Sequence, residues 1–443
     1  MANETKQKAP RRYEKMRDSG VEWIGMVPEH WNVERLQWHL EEINHTNNPV
    51  KTANILSLTN KLGVVPYEEK GNQGNKAKEN LSDYKLAYPN CIVANSMNIL
   101  IGSVGLCNYF GCVSPVYYVF KAKDLNDIRF FNYVFGLTNF QKELRKYANG
   151  ILEIRLRVSA SNILKRRVAI PPYSEQLSIA DFLDNIISKI DSIIAEAKAS
   201  IEEYIAWKSS IIYEAVTKGL DPTAEMKDSG VEWIGKIPVA WSACALKRLT
   251  VKIGSGKTPL GGAETYTSHG VLFLRSQNIY DTGLQLNNAT YISPEVNASM
   301  KNTEVEFGDV LLNITGGSIG RCCVYDLDGV VANVNQHVCI IRTKQEILRP
   351  QYLRYFWNSA AGPMVISQCQ TGGNRPGLNF EQIGSVKIPL CDIASQDAII
   401  KYLDSKTRDI DSLIQQKQSL ISDLESYKKS LIYEVVTGKR KVV

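Results

Sequence analysis

Residues 16–25 read Met16-Arg17-Asp18-Ser19-Gly20-Val21-Glu22-Trp23-Ile24-Gly25, and residues 226–235 read Met226-Lys227-Asp228-Ser229-Gly230-Val231-Glu232-Trp233-Ile234-Gly235. Nine of the ten positions are identical, and the one exchange, arginine for lysine, keeps the charge. Each copy reaches a proline and a tryptophan at the same distance, namely Pro28 and Trp31, and Pro238 and Trp241. The stretch therefore predicts a chain made of two related halves.

A second pair of matching segments closes each half. Lys208–Thr217 returns as Lys428–Thr437, with Ile-Tyr-Glu common to both. A shift of about 210 to 220 residues is the size of a domain and is too long for a solenoid repeat. We expect a tandem duplication with a pseudo-two-fold, which suits a target that itself has two parts.

Composition places the chain among ordinary globular proteins. Its 443 residues are 44% hydrophobic and 22% charged, and the net charge of +6 permits a nucleic-acid partner without requiring one. The polar start, Met1–Lys8, and the lack of a long apolar run predict a cytoplasmic protein without a membrane span. Nine cysteines without a C-x-x-C pair predict reduced thiols, and the five histidines have no metal-site spacing.

Two kinds of sequence pattern alternate along each half. From Trp31 to Pro171, and again from Trp241 to Pro389, short apolar runs alternate with Gly, Asn and Ser turns, as in Val271–Leu274, Val310–Ile314 and Val338–Ile341. Such runs are typical of strands in a compact α/β domain. Helical segments are expected over residues 129–147 and 350–367.

The second pattern predicts a long helix in each half, because apolar residues recur at alternating intervals of four and three residues. The first helix is expected from about Ile179 to Thr217, on the order of 58 Å long, and Gly219 and Gly438 are placed as C-terminal caps. The residues predicted to pair the helices are Leu183, Ile187, Ile190, Ile194, Ile201, Tyr204, Ile211, Leu403, Ile410, Ile414, Ile421, Leu424 and Leu431.

These patterns predict a mixed α/β fold with two globular domains, related by a pseudo-two-fold and separated by two long antiparallel coiled-coil helices. The predicted segments are 1–170 (N-terminal segment and first globular domain), 171–220 (first spacer helix), 221–389 (second globular domain) and 390–443 (second spacer helix and basic tail). The helices either hold a dimer-like core together or act as a spacer that fixes the distance between two reading domains.

The order of motifs resembles the specificity subunit of type I restriction–modification enzymes, in which a variable target-recognition domain and a conserved helix each occur twice. The resemblance covers essentially the whole chain. It rests on the duplicated opening segment, on Gly308-Asp309-Val310-Leu311 leading to Gly316–Gly320, and on Ile388-Pro389-Leu390 with Ser395-Gln396. In the first half, Pro89–Val93 replaces the Gly-Asp-Val-Leu segment, and its loop to Gly102 is expected to be about four residues longer.

The resemblance implies a non-catalytic, cytoplasmic, prokaryotic subunit that reads a bipartite, asymmetric site on double-stranded DNA. It implies two modification subunits that bind S-adenosylmethionine and methylate adenine at N6. Restriction subunits that use ATP and magnesium are implied as further partners. No cofactor is expected on this chain.

Two short strings resemble enzyme motifs. Ile170-Pro171-Pro172-Tyr173 resembles the Asn/Asp-Pro-Pro-Tyr motif of amino-methyltransferases, but Ile170 cannot hydrogen-bond an amine. Gly254-Ser255-Gly256-Lys257-Thr258 resembles a phosphate-binding loop, but Val251 stands where its first glycine is required. We therefore expect neither a self-contained methyltransferase nor a nucleotide site.

DNA contacts are expected from polar loops, because Arg, Asn and Gln read base edges while Lys, Ser and Thr hold phosphates. The predicted contacts are Asn60, Lys61, Lys76, Lys78, Asn95, Ser96, Asn98, Arg155, Arg157, Lys257, Thr258, Arg275, Ser276, Gln277, Asn278, Thr315, Ser318, Arg321, Asn374 and Arg375. Arg157 and Arg375 each lie 14 residues before a proline, which predicts matching places, and His337 is interpreted as a turn or strand-edge residue.

One alternative function remains at this point. The same duplicated architecture fits a protein-interaction scaffold that binds no DNA. Salt-sensitive DNA binding by the assembled complex distinguishes the two hypotheses, because phosphate contacts release counterions.

Overall fold

A computed structural model describes residues 12–59, 63–71, 80–149, 156–369 and 377–442. The first half contains strands β1 (Met16–Asp18), β2 (Met26–Pro28), β3 (Asn32–Arg35), β4 (Leu40–Glu42), β5 (Leu56–Thr59), β6 (Gly63–Pro66), β7 (Lys85–Ala87), β8 (Cys91–Asn95), β9 (Val104–Cys107), β10 (Gly111–Val113), β11 (Tyr117–Ala122) and β12 (Arg167–Ile170). Its helices are α1 (Ile128–Gly136), α2 (Thr138–Arg145), α3 (Ala160–Leu164) and α4 (Tyr173–Lys218).

The second half repeats this order with additional short strands. It contains β13 (Met226–Asp228), β14 (Lys236–Pro238), β15 (Ser242–Ala245), β16 (Thr250–Ser255), β17 (Val271–Leu274), β18 (Ile279–Tyr280), β19 (Gly283–Leu284), β20 (Thr290–Ile292), β21 (Glu304–Val305), β22 (Val310–Asn313), β23 (Cys322–Val324), β24 (Ala332–Val334), β25 (Val338–Thr343) and β26 (Lys387–Leu390). Its helices are α5 (Pro294–Ser299), α6 (Pro350–Asn358), α7 (Ala361–Cys369), α8 (Phe380–Ser385) and α9 (Ile393–Val436). The mixed α/β class, the repeat of the domain and the long helices are confirmed.

The central sheets of the two halves have the same antiparallel order. It is β4-β11-β8-β9 in the first half and β16-β25-β22-β23 in the second. The second half adds a sheet ordered β20-β17-β24-β21, in which β17 and β24 run parallel. The repeated sequence at the start of each half forms a small hairpin, β1 with β2 and β13 with β14.

The chain forms two compact units, and each includes parts of both long helices. The first unit comprises the chain up to Ala197 together with Ser419 onward, and the second is Lys198–Gln418. These units take pieces from several of the four predicted segments, so that division stays a prediction. In the first unit, Ile24 and Trp31 share a core with Leu431 and Val435 of α9. In the second unit, Ile234 and Trp241 share a core with residues of α4 such as Ile212 and Val216.

Within each unit the two helix segments run antiparallel and are joined by an ion pair. In the first unit, Lys428 Nζ lies 2.7 Å from Asp191 Oδ1. In the second unit, Lys208 Nζ lies 2.7 Å from Asp411 Oδ2. The two lysines, and likewise the two aspartates, are 220 positions apart, so the same pairing register occurs in both units.

A buried glutamine attaches each globular part to the start of its helix. Gln176 Oε1 accepts a hydrogen bond from the backbone N–H of Asp127 at 3.0 Å, and its Nε2 donates to Pro171 O at 3.0 Å. Gln396 does the same with the N–H of Arg349 (2.9 Å) and with Cys391 O (2.9 Å). Both side chains are buried, so these bonds replace lost hydration.

A tyrosine–aspartate hydrogen bond forms a second attachment. Tyr133 donates to Asp184 in the first unit, and Tyr355 donates to Asp404 in the second. Burial is the main cause that raises the pKa of Tyr355 to about 12, which keeps the phenol protonated as a donor.

The first long helix begins earlier than the sequence predicted, whereas the second, α9, begins at Ile393, within the predicted segment 390–443. The first starts at Tyr173, directly after Pro171-Pro172, and not near Ile179. The reason is local, because proline restricts the residue before it while leaving the following turn free to be helical. The caps are confirmed, since Gly219 and Gly438 have φ values of 77° and 72°. A Cβ on Gly438 would lie 2.2 Å from Pro28 Cδ, so this end requires glycine.

All thirteen predicted helix-pairing residues are at least half-buried. Leu183, Ile190, Ile194, Ile201, Leu403, Ile410 and Leu431 are buried, while Ile187, Tyr204, Ile211, Ile414, Ile421 and Leu424 are half-buried. Near the end of α4, Ile212 is buried where the heptad pattern had placed Ile211. The globular part packs here as well, so burial no longer follows a two-helix seam alone.

Candidate nucleic-acid interface

Three loops of the second unit meet through a chain of polar side chains. The Thr258 hydroxyl donates to Gln336 Oε1, and Gln336 Nε2 lies 3.1 Å from His337 Nε2. His337 Nδ1 lies 2.6 Å from Thr315 Oγ1. We call Thr258, Thr315, Gln336 and His337 the polar string. It presents amide, imidazole and hydroxyl groups side by side, which are the groups that hydrogen-bond to base edges and phosphates.

The backbone explains why these loops converge. The β22–β25 ladder ends at the pair Asn313 and Val338, and beyond it Ile314 N–H donates to His337 O at 3.0 Å. The loop after β16 leaves along the start of β25, because Gly256 N–H donates to Val338 O at 3.3 Å. Thr315 also bridges to Gly377, which brings the chain after Asn374 and Arg375 to this cluster, although those two residues lie outside the described ranges.

The segment after β17 joins the same cluster, but only part of it faces outward. Gln277 is exposed, whereas Asn278 is buried, with Oδ1 accepting from Arg275 N–H (3.0 Å) and Nδ2 donating to Gln285 O (2.8 Å). Ser276 O accepts from Asn313 Nδ2 at 2.9 Å. We therefore assign Asn278 to holding the loop, and Gln277 to the candidate interface.

Two predicted cations stack on aromatic rings. The Arg275 guanidinium lies 5.5 Å from the ring centre of Tyr266, and that of Arg321 lies 4.6 Å from Tyr280. Arg321 lines a cavity of about 890 Å³ that α4 also borders, whereas Lys257 is exposed beside Thr258. Ser318 ends the short turn Gly316–Ser318 and is half-buried. The structure thus groups Lys257, Thr258, Gln277 and Thr315, and it separates Arg321 from them.

In the first unit, the predicted residues after β8 divide in the same way. Asn95 and Ser96 are buried, and Asn95 Oδ1 accepts from Met97 N–H at 3.0 Å. Asn98 and Arg157 are exposed, and Arg157 Nη2 lies 3.6 Å from Met97 Sδ. The candidates Asn60, Lys61, Lys76, Lys78 and Arg155 lie outside the described residues.

Strand register corrects two comparisons between the halves. Asn95 N–H donates to Ser103 O and Asn313 N–H donates to Arg321 O, so the loops between them have equal length and the expected insertion is wrong. Gly102 (φ 85°) therefore corresponds to Gly320 (φ 92°) and not to Gly316 or Gly317. Asn90 (φ 59°) takes the left-handed position of Gly308 (φ 88°), a conformation that asparagine tolerates better than most residues.

The matching of Arg157 with Arg375 is also wrong. Ile170 pairs with Asn32, and Leu390 pairs with Ser242, and these partners each follow directly on a repeated tryptophan. The two prolines used for counting are therefore not equivalent positions. Arg157 matches Gly377, since Val158 N–H donates to Ser96 O as Leu378 N–H donates to Ile314 O.

Gln336 and His337 were not among the predicted contacts. Their signal was the polar run Asn333–His337 ahead of a strand, where His337 was interpreted only as a turn or strand-edge residue. It does lie in the turn before β25, and its ring also contacts Thr315 of another loop. Sequence alone could not show this, because Thr258 and Thr315 are distant along the chain.

Each unit also exposes an aromatic and an aliphatic residue on its helix pair. Tyr427 (47% exposed) and Ile193 (44%) lie in the first unit, within two residues along the helices of Lys428 and Asp191. Trp207 (52%) and Leu413 (38%) lie in the second unit, within two residues along the helices of Lys208 and Asp411. We call these two sets the helix patches. They occupy equivalent positions, since Trp207 and Tyr427, like Ile193 and Leu413, are 220 residues apart.

The two segments that resemble enzyme motifs lie at the ends of strands, in β12 and β16. Ile170 is buried at the end of β12, and Gly254-Ser255 belongs to β16, whose loop leads into a short turn at Gly262–Thr265 and not into an α-helix. A phosphate-binding loop requires an α-helix that begins directly after the loop. In the described ranges, no three His, Cys, Asp or Glu side chains are grouped to hold a metal ion.

The nine cysteines are all unpaired thiols, and most of them are buried. Burial raises the pKa of Cys339 to about 12, which makes it a poor nucleophile. Among the residues that the structure describes, no helix is long and apolar enough to span a membrane.

Comparison with known proteins gives one family. The model for the "Type I restriction modification DNA specificity domain" matches this chain twice, over residues 32–203 and 250–422. The type I restriction enzyme MjaVIII specificity subunit of Methanocaldococcus jannaschii is 27% identical over 280 residues, which are 62% of this chain and 62% of that protein. The EcoBI specificity subunit of Escherichia coli is 23% identical over 292 residues, 64% of this chain and 60% of the relative. Each of these two matches thus spans less than two thirds of the relative's length.

Further matches extend over nearly the whole chain. The putative MjaX specificity subunit of M. jannaschii is 23% identical over 444 residues, covering 95% of this chain and 96% of the relative. A structure from work on assembly and conformational transition of the type I R-M system matches with a TM-score of 0.71 at 12% identity, covering 93% of this chain and 98% of its own. The HsdS subunit of Thermoanaerobacter tengcongensis matches with a TM-score of 0.52 at 14% identity, with the same coverages. These likenesses establish the fold.

Proposed function

Because this chain belongs to the family of type I restriction–modification DNA specificity proteins, we propose that it is a non-catalytic subunit that reads a bipartite, asymmetric DNA site. The observation that carries the proposal is the duplicated domain whose polar loops converge, as the polar string does in the second unit. Each domain reads one half-site. The loops differ in residue type between the units, so the two half-sites differ in sequence.

Within the second domain, Gln277, Gln336 and His337 contact bases, while Lys257 and Thr258 hold phosphates. Amide and imidazole groups carry donors and acceptors that distinguish base pairs in the major groove. A lysine next to a threonine at a loop supplies the sequence-independent part of the affinity. In the first domain Asn98 and Arg157 take these roles.

The chemistry resides on partners. Two modification subunits dock on the helix patches, bind S-adenosylmethionine and methylate adenine at N6, and restriction subunits that use ATP and magnesium join them. Support comes from the repetition of the patches, because two equivalent surfaces suit two copies of one partner. Exposed aromatic residues are frequent anchors of protein interfaces. The complex works in the cytoplasm of a prokaryote.

The decisive experiment is genome-wide mapping of N6-methyladenine in the source organism with and without this gene. We expect a two-part motif with a fixed gap to lose methylation when the gene is deleted. Complementation with the Gln277→Ala variant should restore methylation, with a less strict base preference in one half-site. An unchanged methylation map, together with no salt-sensitive DNA binding by the complex with its modification subunits, would favour the scaffold alternative.

A further inference from the structure

The loop between β16 and β17 holds an apolar side chain entirely in solvent. Leu260 is 99% exposed, although the proline before it is buried. Single exposed leucines are common on protein surfaces. This one differs because its backbone is fixed and because it lies in the loop that carries Lys257 and Thr258.

A tight turn fixes the backbone of Leu260. Gly262 N–H donates to Pro259 O at 2.9 Å, and Gly261 has a φ of 97° and a ψ of −7°. These values define a type II turn with Leu260 at its second position, where the side chain points away from the turn. A residue held in this way loses little conformational freedom when it is buried by a partner.

The base of the loop is fixed as well. A Cβ on Gly256 would lie 1.6 Å from Val334 O, so the chain approaches β24 as closely as only glycine permits. Thr258 is bonded to Gln336 of the polar string. The turn therefore projects Leu260 from the edge of the same loop cluster that we assign to DNA contact.

We propose that Leu260 is an apolar wedge that enters the base stack of the second half-site, an inference that rests on the proposed function. Leucine is one of the residues that proteins insert between base steps, where they unstack the bases and kink the duplex. Insertion covers a fully exposed side chain on both faces, whereas contact with a groove edge covers one side only. Lys257 and Thr258 hold the phosphates beside the opened step, which is most easily a flexible pyrimidine–purine step.

The test uses the full chain assembled with its modification subunits, and duplexes carrying the motif found by methylation mapping. 2-Aminopurine replaces one base at a time in the second half-site, because its fluorescence rises when it is unstacked. With the unaltered protein we expect a rise at one step outside the methylated adenine, whose own rise comes from flipping by the modification subunit. Leu260→Ala should abolish it and weaken binding by about tenfold, from the lost burial of a leucine side chain.

Two variants separate the wedge from a loss of folding. Leu260→Met keeps an apolar side chain and should retain both the fluorescence rise and the affinity. Val251→Ala removes another exposed aliphatic residue (68% exposed) at the far end of β16 and should change neither. Tight, sequence-dependent binding without a fluorescence rise outside the methylated adenine, or with Leu260→Ala equal to the unaltered protein, overturns the wedge and leaves the recognition function intact. Failure of the unaltered complex to bind any motif duplex overturns the recognition function itself.

Discussion

At the scale of single residues, neighbouring polar side chains in one loop have opposite roles. Gln277 is exposed, while the amide of Asn278 is used inside the protein by Arg275 N–H and Gln285 O. We expect Gln277→Ala to fold normally and to relax one base position of the second half-site. Asn278→Ala should instead lower the free energy of unfolding by about 1–3 kcal/mol, because buried partners lose their hydrogen bonds.

Urea unfolding and motif-binding assays on both variants check this division. The assignment fails if Asn278→Ala keeps its stability and changes the preferred bases, or if Gln277→Ala unfolds early.

The buried glutamines make a second prediction at this scale. Gln396→Leu removes the acceptor of Arg349 N–H and the donor to Cys391 O, leaving buried backbone groups unpaired. We expect a loss of about 2–4 kcal/mol in unfolding free energy, since each unsatisfied group costs about 1–3 kcal/mol. Gln416→Leu, on the exposed side of the same helix, serves as the matched control. Equal unfolding midpoints for the two variants in urea would show that Gln396 does not anchor the helix.

Sequence patterns could reveal the apolar runs but could not decide which polar residue turns inward. The choice between Gln277 and Asn278 depends on Gln285, and the burial of Asn95 depends on the turn to Met97. Likewise, the equal length of the loops after β8 and β22 follows from the hydrogen bonds that close each loop, Asn95 N–H to Ser103 O and Asn313 N–H to Arg321 O, which only the folded structure shows. The polar string escaped prediction for the same reason.

At the scale of elements, the antiparallel pairing of α4 and α9 carries the same ion pair in each unit. Lys208→Asp places two carboxylates opposite each other at Asp411 and should lower the unfolding free energy by about 1 kcal/mol, because the pair is partly exposed, Lys208 to 22% and Asp411 to 43%. The exchange Lys208→Asp with Asp411→Lys should recover most of this loss. A double-mutant cycle measured by urea unfolding gives the coupling, and additivity of the two single changes would show that the pair contributes nothing.

Heptad periodicity predicted these two helices well because their apolar positions repeat over many turns. It was less reliable near Ile211 and Ile212, where α4 leaves the two-helix seam and packs on the globular part of its unit. A heptad pattern reflects packing against one partner helix. Near Ile211 and Ile212, side chains are buried by the partner helix and by the globular part together.

At the scale of the whole molecule, the helix patches should set the number of modification subunits. Trp207→Ala and Tyr427→Ala each remove one exposed aromatic anchor, so each variant should retain one tightly bound modification subunit, and the double variant none. Native mass spectrometry of the purified complex gives the count directly. Trp38→Ala, at an exposed tryptophan outside the long helices (58%), should leave both subunits bound. Full occupancy in the double variant would place the docking surface elsewhere.

The duplication also predicts that the gap between half-sites can be changed without changing what is read. A helical heptad is about 10 Å long, which is close to three base pairs of B-DNA at 3.4 Å each. Seven helix-forming residues inserted directly after Lys218, where α4 ends, extend this helix by one heptad and should therefore alter the gap by about that amount. The same insertion at the exposed turn Asp328-Gly329 should leave the gap as it is.

Methylation mapping of the two insertion variants reads both the gap and the bases from one experiment. The spacer hypothesis requires unchanged half-sites with a longer or shorter gap after insertion behind Lys218. Altered half-sites with the original gap would mean that the insertion disturbs the recognition loops, and that the long helices hold the molecule together without measuring the DNA. Because the control insertion lies in the second unit as well, a loss of methylation common to both variants would identify damaged folding and not spacing as the cause.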